Sequence, residues 1–390
     1  MLLFLDKHPL LARSPEMTGE CTPRRKRIAD LPPMPVDEAR DEFLRSLRSG
    51  PVVVEAPPGS GKSTRIPLWC EALGRVLVVE PRRLACRSLA RHVAELRSTR
   101  PGEAVGYAVR FDSAFSAGTR VIFATPGVAL RWYSESGLRD FDALVLDEFH
   151  ERRWDTDLLA ALLHADGRRF ALASATVEGG KLAGFFGAAR IETSGRMHPV
   201  QVSYAEKDGL PRAKGLEKRV SDGVSRVLQG LDSGDVLVFL PGKGEIRAAR
   251  DRLRTDRIRE EIIELHAAAD QQAQDRALSP PETGIRIILS TNVAETSVTL
   301  PGVRAVVDGG LERRTHHRGG RTVLGLCAVS QAAADQRKGR AGRLGPGVCL
   351  RLWGRSARLE PYTPPEIVRE DPSEFMLAAA ACGRPVETLA

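Results

Sequence analysis

Short runs of apolar residues recur along the chain, separated by longer stretches of mixed composition that are typical of helices. The first series is PVVVEA (51–56), RVLVVE (75–80), TRVIFAT (119–125), ALVLDE (143–148) and FALASAT (170–176). The second is DVLVFL (235–240), IRIILST (285–291), RAVVDGG (304–310) and GVCLRLW (347–353). Continuous apolar runs indicate parallel strands that are covered on both faces. The pattern therefore predicts an α/β protein with two doubly wound parallel-sheet domains in tandem.

The stretches outside these two series are richer in charged residues, Gly and Pro. Residues 1–35 contain a basic PRRKR cluster (23–27) and a proline-rich LPPMP segment (31–35), and we expect them to form a flexible leader. Residues 190–234 contain the expected linker between the domains. In open parallel sheets ligands bind beyond the carboxyl ends of the strands, so the polar residues that follow each apolar run are the candidates for chemistry.

A glycine-rich segment, APPGSGKST (56–64), follows the first predicted strand directly and precedes a helix-compatible stretch. Gly59 and Gly61 allow a tight turn whose backbone amides face a triphosphate, Lys62 reaches its β and γ oxygens, and Ser63 holds Mg²⁺. The predicted nucleotide-binding residues are Gly59, Ser60, Gly61, Lys62, Ser63 and Thr64. An ordinary glycine-rich turn is the alternative, and the strand and helix on either side disfavour it. Ala56 stands where the strict pattern has its first glycine.

An acidic pair, Asp147 and Glu148, follows the fourth apolar run. Acidic neighbours at a strand end are usually a solvated turn, but beside a phosphate-binding loop they have a specific use. We expect Asp147 to hold Mg²⁺ through water and Glu148 to orient and polarise the attacking water. The two segments together predict a nucleoside triphosphatase.

Composition narrows the partners and the compartment. The chain has a formal charge of +8 and a sequence pI of about 9.4. Most of the basic residues are Arg, which favours a polyanionic partner, although GC-rich coding gives the same bias. The six cysteines form no CxxC pair, which argues against a disulfide framework or a zinc site. The opening MLLFL is too short for a signal peptide and no apolar run could span a bilayer, so we expect a cytoplasmic protein.

Seven motifs in order resemble those of superfamily 2 helicases: APPGSGKST (56–64), EPRRLA (80–85), TPG (125–127), DEFH (147–150), SAT (174–176), STNVAETS (290–297) and QRKGRAGR (336–343). They are most similar to the DEAH-box branch, and DEFHER (147–152) to its bacterial HrpB-type members. The resemblance implies a monomeric ATP-dependent RNA helicase with two RecA-like domains, 36–200 and 201–355, that uses ATP and Mg²⁺. It does not exclude other NTPs or DNA.

The resemblance also assigns residues that composition and spacing alone would not. Catalytic roles fall on Glu148, Gln336, Arg340 and Arg343, the last two as arginine fingers from the second domain. His150, Ser174 and Thr176 are expected to couple hydrolysis to nucleic-acid binding, whereas simple capping groups are the alternative for the two hydroxyl residues. A surface arginine-rich helix is the alternative for the QRKGRAGR segment.

Nucleic-acid contacts are expected along the phosphate backbone, because a helicase must move over any sequence. The candidate residues are Arg82, Arg83, Arg110, Phe111, Thr125, Gly127, Thr291 and Asn292. The middle proline of TPG departs from the acidic residue more usual in DEAH proteins. Residues 311–325 lie where DEAH enzymes have a β-hairpin, and we expect an exposed hairpin tip there.

The end of the chain, residues 356–390, resembles the start of a winged-helix region. DEAH proteins continue beyond it, so the sequence is either a fragment or a short form, and a protein partner could supply the remaining modules. A nucleic-acid-binding adaptor that uses ATP as a switch without unwinding is therefore the second interpretation. A P-loop kinase is a distant third, since it gives Arg340 and Arg343 no partner.

Overall fold

The predicted apolar runs become the central strands of two separate sheets. A computed structural model describes residues 26–175, 179–195, 198–281, 284–295, 300–318 and 320–389. Its internal contacts divide the chain into two units, of which the first contains the described residues up to Gly195 and those from Ser373 onward, and the second those between them. The α/β class with two parallel-sheet domains is confirmed.

The first unit is built on eight strands among the described residues. They are β1 (Val52–Glu55), β2 (Val76–Val79), β3 (Val105–Val109), β4 (Asp112–Ala114), β5 (Val121–Ala124), β6 (Ala143–Leu146), β7 (Ala171–Ser174) and β8 (Ala189–Glu192). The order across the sheet is β4-β3-β5-β2-β6-β7-β1-β8, and all neighbours are parallel except the β3–β4 pair. The carboxyl ends of six neighbouring parallel strands, from β3 to β1, therefore share one edge.

Helices cover both faces of this sheet, which explains why β2, β5 and β6 are apolar at every position and β1 and β7 at every position but the last. They are α1 (Arg40–Ser49), α2 (Lys62–Cys70), α3 (Arg83–Leu96), α4 (Pro126–Ser136), α5 (Trp154–Ala165) and α6 (Gly179–Phe186). Val52, Val76 and Val121 face one buried cluster, and Leu77, Ile122 and Leu144 face the other. A parallel sheet buried on both faces needs this continuous pattern.

The second unit contains a six-stranded parallel sheet and a two-stranded hairpin among the residues described. The sheet strands are β9 (Val200–Glu206), β10 (Asp235–Phe239), β11 (Glu261–Leu265), β12 (Arg286–Ser290), β13 (Val303–Asp308) and β16 (Gly347–Gly354), in the order β11-β12-β10-β13-β16-β9. The hairpin strands are β14 (Leu311–Arg318) and β15 (Arg321–Ala328), at the expected place. The helices are α7 (Leu216–Leu228), α8 (Lys243–Thr255), α9 (Gln271–Leu278), α10 (Gln331–Gly339) and α11 (Glu366–Arg369).

The start of the described chain differs from the expected leader. Residues 1–25 lie outside the described part, but Leu31 is buried and Ile28 and Met34 pack against the core of the first unit. The Arg65 guanidinium also donates to the Pro32 carbonyl. The leader interpretation of residues 26–35 is therefore corrected, because apolar residues spaced through this proline-rich segment fix it to the sheet.

The unit boundaries also differ from the expected ones. The first boundary falls after Gly195 rather than residue 200, and residues 356–372 remain with the second unit. The last helix, α12 (Ser373–Ala381), buries Phe375 and Ala379 in the core of the first unit. The expected start of a winged helix at 356–390 stays a prediction. Within the described residues, no helix has the length and apolar character needed to cross a membrane.

Candidate nucleotide and nucleic-acid sites

The glycine-rich loop between β1 and α2 has the backbone of a phosphate-binding loop. Gly59 and Gly61 adopt positive φ angles of 83° and 98°, which only glycine adopts readily. The Arg65 N–H donates to the Gly61 carbonyl at 2.8 Å, so α2 begins directly after that turn. Lys62 is buried, and its Nζ donates to the Ala56 carbonyl at 2.5 Å. The helix N-terminus and the lysine thus converge on one point.

The segment before α1 fixes this loop from outside. The Val36 N–H donates to the Ser60 carbonyl at 3.1 Å. The Met34 side chain lies over Gly61, where an added Cβ would come within 2.9 Å of Met34 Cβ. Gly61 is therefore required both by its backbone angle and by this close approach, and the loop is held before any ligand binds.

The acidic pair lies two strands away from the loop, because the sheet order there is β6-β7-β1. Asp147 follows β6 and is fully buried, and its Oδ1 accepts the Glu148 N–H at 2.9 Å. Glu148 is 6% exposed with a φ of 49°, and Arg152 has a φ of 47°. Left-handed non-glycine residues cost about 1–3 kcal/mol each, so the surroundings must hold this turn.

Burial and charge set the protonation chemistry of the turn. Burial and the neighbouring Glu148 raise the pKa of Asp147, while the Ser63 hydroxyl and the Lys62 ammonium lower it. Burial also lowers the pKa of His150 to about 4, so its ring is neutral at pH 7. His150 Nδ1 accepts the Ala175 N–H at 3.3 Å and lies 3.3 Å from Glu148 Oε2. His150 thus joins the acidic turn to the end of β7.

The expected coupling residues are only partly within the described chain. Ser174 is buried at the end of β7, and its carbonyl accepts the Ala56 N–H at 3.1 Å, linking that strand to the phosphate loop. Thr176 lies outside the described residues, so its predicted role has no structural description.

The residues present fit a nucleotide with a divalent cation. Asp147 Oδ2 and Ser60 Oγ are buried, and among the described residues neither has a hydrogen-bond partner of normal geometry. The Asp147 carboxylate and the Ser63 hydroxyl that interacts with it are hard oxygen ligands of the kind that Mg²⁺ prefers. Among the described residues, no group of three or more His, Cys, Asp or Glu side chains is placed to hold a metal ion.

The other half of the same edge carries the predicted nucleic-acid residues. Arg110 and Phe111 follow β3, Thr125 and Gly127 follow β5, and the Arg82–Arg83 pair follows β2. Phe111 is 89% exposed with a φ of 66°, and the Arg110 guanidinium lies 4.8 Å from its ring centroid. The sheet order β3-β5-β2 makes these three turns neighbours.

The two arginines after β2 differ in their surroundings. Arg83 is exposed and donates to the Arg110 carbonyl at 3.0 Å. Arg82 is 2.8 Å from Glu151, and both side chains are only 17% exposed. The Arg83 side chain can therefore meet a phosphate, whereas the Arg82 side chain is bound within the protein.

In the second unit the predicted fingers begin where α10 ends. Arg340 is 2% exposed, and its Nε donates to the Glu295 carbonyl at 2.8 Å. Arg343 and Gln336 are half-buried. The two arginines thus differ in exposure, and residues 340–342 form a 3-10 turn directly after the helix.

The arginine at position 337 is a residue that sequence reasoning missed. Its guanidinium is 2.9 Å from Glu295 and 3.1 Å from Asp308, and it lies 4.9 Å from the Phe239 ring centroid. Burial alone would lower the pKa of Arg337, but these carboxylates raise it above the usual arginine range. In the sequence it is one of four basic residues in QRKGRAGR, and only its pairing with two carboxylates in the folded unit separates it from the others.

Thr291 and Asn292 lie after β12, near the same arginine. Thr291 caps the short helix at 292–294, and Asn292 is exposed. A cavity of about 350 Å³ opens beside them, and its polar lining includes Lys243, His266, Arg313 and Arg337. The loop predicted to contact nucleic acid therefore borders a polar cavity within the second unit, whose lining also includes the carboxylate of Glu312.

A phosphate loop and an acidic turn on one RecA-like sheet, followed by a second RecA-like unit, define a tandem P-loop NTPase. The family model described as DEAD/DEAH box helicase matches residues 38–183, and that of the helicase conserved C-terminal domain matches residues 221–345. The chain therefore contains both of these helicase domains, which confirms the resemblance drawn from the motifs.

Individual relatives narrow the likeness to the DEAH branch. The chain is 36% identical over 372 residues to the ATP-dependent RNA helicase HrpA of Escherichia coli K12, covering 90% of this chain and 28% of that protein. It is also 36% identical over 364 residues to HrpB of the same organism, covering 88% and 44%. The crystal structure of Escherichia coli DEAH/RHA helicase HrpB superposes with a TM-score of 0.81 at 34% identity, covering 90% of this chain and 47% of that one. The chain thus spans less than half the length of these relatives.

Proposed function

We propose that this chain is the motor core of an ATP-dependent RNA helicase, an RNA-stimulated NTPase that couples hydrolysis to movement on or remodelling of RNA. One observation carries the proposal. Lys62, Ser63, Asp147 and Glu148 lie at the carboxyl edge of a single sheet, in the segments that follow β1 and β6. The names of the relatives support the helicase class, although those proteins are more than twice as long as the part that this chain matches.

In this proposal the loop residues bind the triphosphate of ATP. The amides of Gly59 to Ser63 cradle the phosphates, and Lys62 turns from the Ala56 carbonyl to the β and γ oxygens. Ser63 and Asp147 would hold Mg²⁺, which supplies Lewis-acid stabilisation of the developing charge. Glu148 orients and polarises the attacking water, and the neutral ring of His150, which accepts the Ala175 N–H, ties the turn that contains Glu148 to the end of β7.

The second unit is proposed to complete the reaction. Arg340 and Arg343 would stabilise charge on the γ-phosphate, with Gln336 at the same group. The hydrogen bond from Arg340 to the Glu295 carbonyl supports a fixed position for that arginine within its own unit. An arginine finger contributes about 10³–10⁵ in rate, so turnover should depend on the second unit.

The nucleic-acid surface is proposed to be formed by the loops after β3, β5 and β2 at the carboxyl edge of the first sheet. Its residues in the first unit are Arg83, Arg110, Phe111, Thr125 and Gly127. Thr291 and Asn292 would contribute from the second. The exposed guanidiniums and the exposed Phe111 ring suit phosphates and stacked bases of a single strand. We place the protein in the cytoplasm as a monomer, and the described cysteines, all unpaired thiols, suit that compartment.

Turnover of ATP, with and without single-stranded RNA or DNA, tests the proposal, followed by displacement of a strand from a tailed duplex. RNA-stimulated turnover with displacement supports the helicase assignment. Stimulated turnover without displacement would select the adaptor interpretation instead. Lys62→Met should abolish turnover, and Lys181→Met, which changes an exposed lysine of the same unit, should not.

A further inference from the structure

The loops at the carboxyl edge of the first sheet fall into two adjoining groups. The loops after β3, β5 and β2 carry the proposed nucleic-acid contacts, and the loops after β6, β7 and β1 carry the proposed hydrolysis site. Strands β2 and β6 are hydrogen-bonded neighbours, so the border between the groups lies between the loop at 80–83 and the turn at 147–152.

One ion pair crosses this border. Arg82 Nη2 lies 2.8 Å from Glu151 Oε1. Burial alone would raise the pKa of Glu151, but the guanidinium of Arg82, together with His150 and Arg153, outweighs burial and lowers it. Because both partners are largely removed from water, the pair is stronger than an exposed one and holds the two loops at a fixed separation.

On the nucleic-acid side, the loop that carries Arg82 is itself tied to the neighbouring turns. The Arg82 N–H donates to Glu80 Oε1 at 3.3 Å, and Arg83 donates to the Arg110 carbonyl at 3.0 Å. A nucleic-acid strand that binds Arg83 or Arg110 would therefore displace the loop from which Arg82 extends.

On the hydrolysis side, Glu151 belongs to the strained turn that carries Glu148. Its N–H donates to the Glu148 carbonyl at 2.9 Å, and the left-handed residues Glu148 and Arg152 bracket it. Such conformations persist only where neighbouring groups fix them, and they occur at sites whose geometry matters for chemistry. A small displacement of Glu151 would reorient Glu148.

We propose that Arg82 and Glu151 are positioning residues whose ion pair transmits nucleic-acid binding to Glu148. The inference rests on the proposed function, since it concerns how RNA stimulates turnover at that site. It also changes the role of Arg82 from a phosphate contact to an internal link. Arg83 remains the phosphate contact of this loop.

A matched ion pair in the same unit provides the control. Arg97 Nη1 lies 3.0 Å from Glu71 Oε2, and these side chains are 12% and 16% exposed. Both residues follow the carboxyl ends of their helices, α2 and α3, at the opposite edge of the sheet. Glu71→Gln therefore removes the same charge from a comparable pair that touches neither group of loops.

The experiment compares wild type, Glu151→Gln, Arg82→Gln, the double variant and Glu71→Gln. ATP turnover is measured against the concentration of single-stranded RNA, and urea midpoints are recorded for every protein. We expect Glu151→Gln and Arg82→Gln each to lower turnover at saturating RNA about tenfold, with the half-saturating RNA concentration changed less than about twofold. Turnover of the double variant should be no lower than that of either single variant, because both substitutions break the same ion pair. Glu71→Gln should keep wild-type stimulation.

Each other outcome overturns the inference. A raised half-saturating RNA concentration in Arg82→Gln alone would make Arg82 a direct contact. Stimulation in Glu151→Gln equal to that in Glu71→Gln, with equal loss of stability, would make the pair merely structural. If RNA does not stimulate turnover of the wild type, the proposed function fails, and the inference fails with it. If RNA stimulates the wild type and the variants equally, only the inference fails.

Discussion

Replacing Arg337 with Met should destabilise the second unit far more than replacing an exposed arginine. The guanidinium is 1% exposed and pairs with Glu295 and Asp308, which are themselves 10% and 0% exposed. Removing one partner of a buried ion pair costs about 3–5 kcal/mol, since the remaining carboxylates stay buried without their cation. The two pairs share one cation, so their costs do not simply add.

Urea unfolding followed by hydrogen exchange of peptides from each unit measures this effect. With a urea m-value of about 2–3 kcal/mol/M, the second unit should unfold about 1–2 M earlier in Arg337→Met. Peptides from the first unit should keep their midpoint. Arg212→Met is the control, because Arg212 and its partner Glu206 are 55% and 26% exposed and an exposed pair contributes at most about 1 kcal/mol.

Two results would refute the reasoning about burial. A loss in Arg337→Met no larger than that in Arg212→Met would mean that the buried carboxylates find other partners. An equal shift in peptides of the first unit would mean that Arg337 does not act locally in the second.

Three further predictions concern the first unit. Gly61→Ala should weaken ATP binding and lower the melting temperature more than Gly59→Ala, since both positions have positive φ but only residue 61 meets Met34; calorimetry and ATP titration compare them. Because the pKa of His150 falls from 6.5 to about 4 on folding, its contribution to stability is lost as the pH falls through that window. Without Mg²⁺, the stability of wild type relative to His150→Gln should fall by about 2 kcal/mol between pH 7.5 and 5 in urea titrations, and a constant difference would contradict this. Arg83→Gln should weaken RNA binding equally for all base sequences and reduce the slope of log affinity against log salt by about one; a sequence-dependent loss would argue against a phosphate contact.

Much of the fold could be predicted from the sequence because parallel strands buried on both faces leave continuous apolar runs. The VVV of 52–54 and the VLVV of 76–79 are such runs, and both are central strands. Strands at the sheet edges leave weaker patterns. Residues 189–192 read ARIE and bury only Ile191, so this strand carries no apolar run.

The candidate phosphate site could be predicted because its chemistry depends on residues close together in sequence. Contacts between distant segments could not. Arg82 and Glu151 are paired across two loops, and Arg337 joins Glu295, Asp308 and the ring of Phe239. Nothing in the local pattern separates the buried Arg337 from the half-buried Lys338 and Arg343, since burial depends on the completed fold.

The packing of residues 28–36 on the first unit was hidden by their composition. A proline-rich segment after a basic cluster is typical of a solvated tail, yet Leu31 and Val36 are buried and the Val36 N–H holds the phosphate loop. Prolines fix the chain in extended conformations that still allow every third or fourth side chain to reach a core.

ATP binding and ATP turnover by Glu148→Gln, measured on one preparation with Mg²⁺ and saturating RNA, test the hydrolysis site most directly. Because the amide keeps the shape of the carboxylate but cannot polarise water, affinity should stay within a few-fold of wild type while turnover falls about 10²-fold or more. Turnover within a few-fold of wild type would contradict the assignment of this acidic turn to hydrolysis.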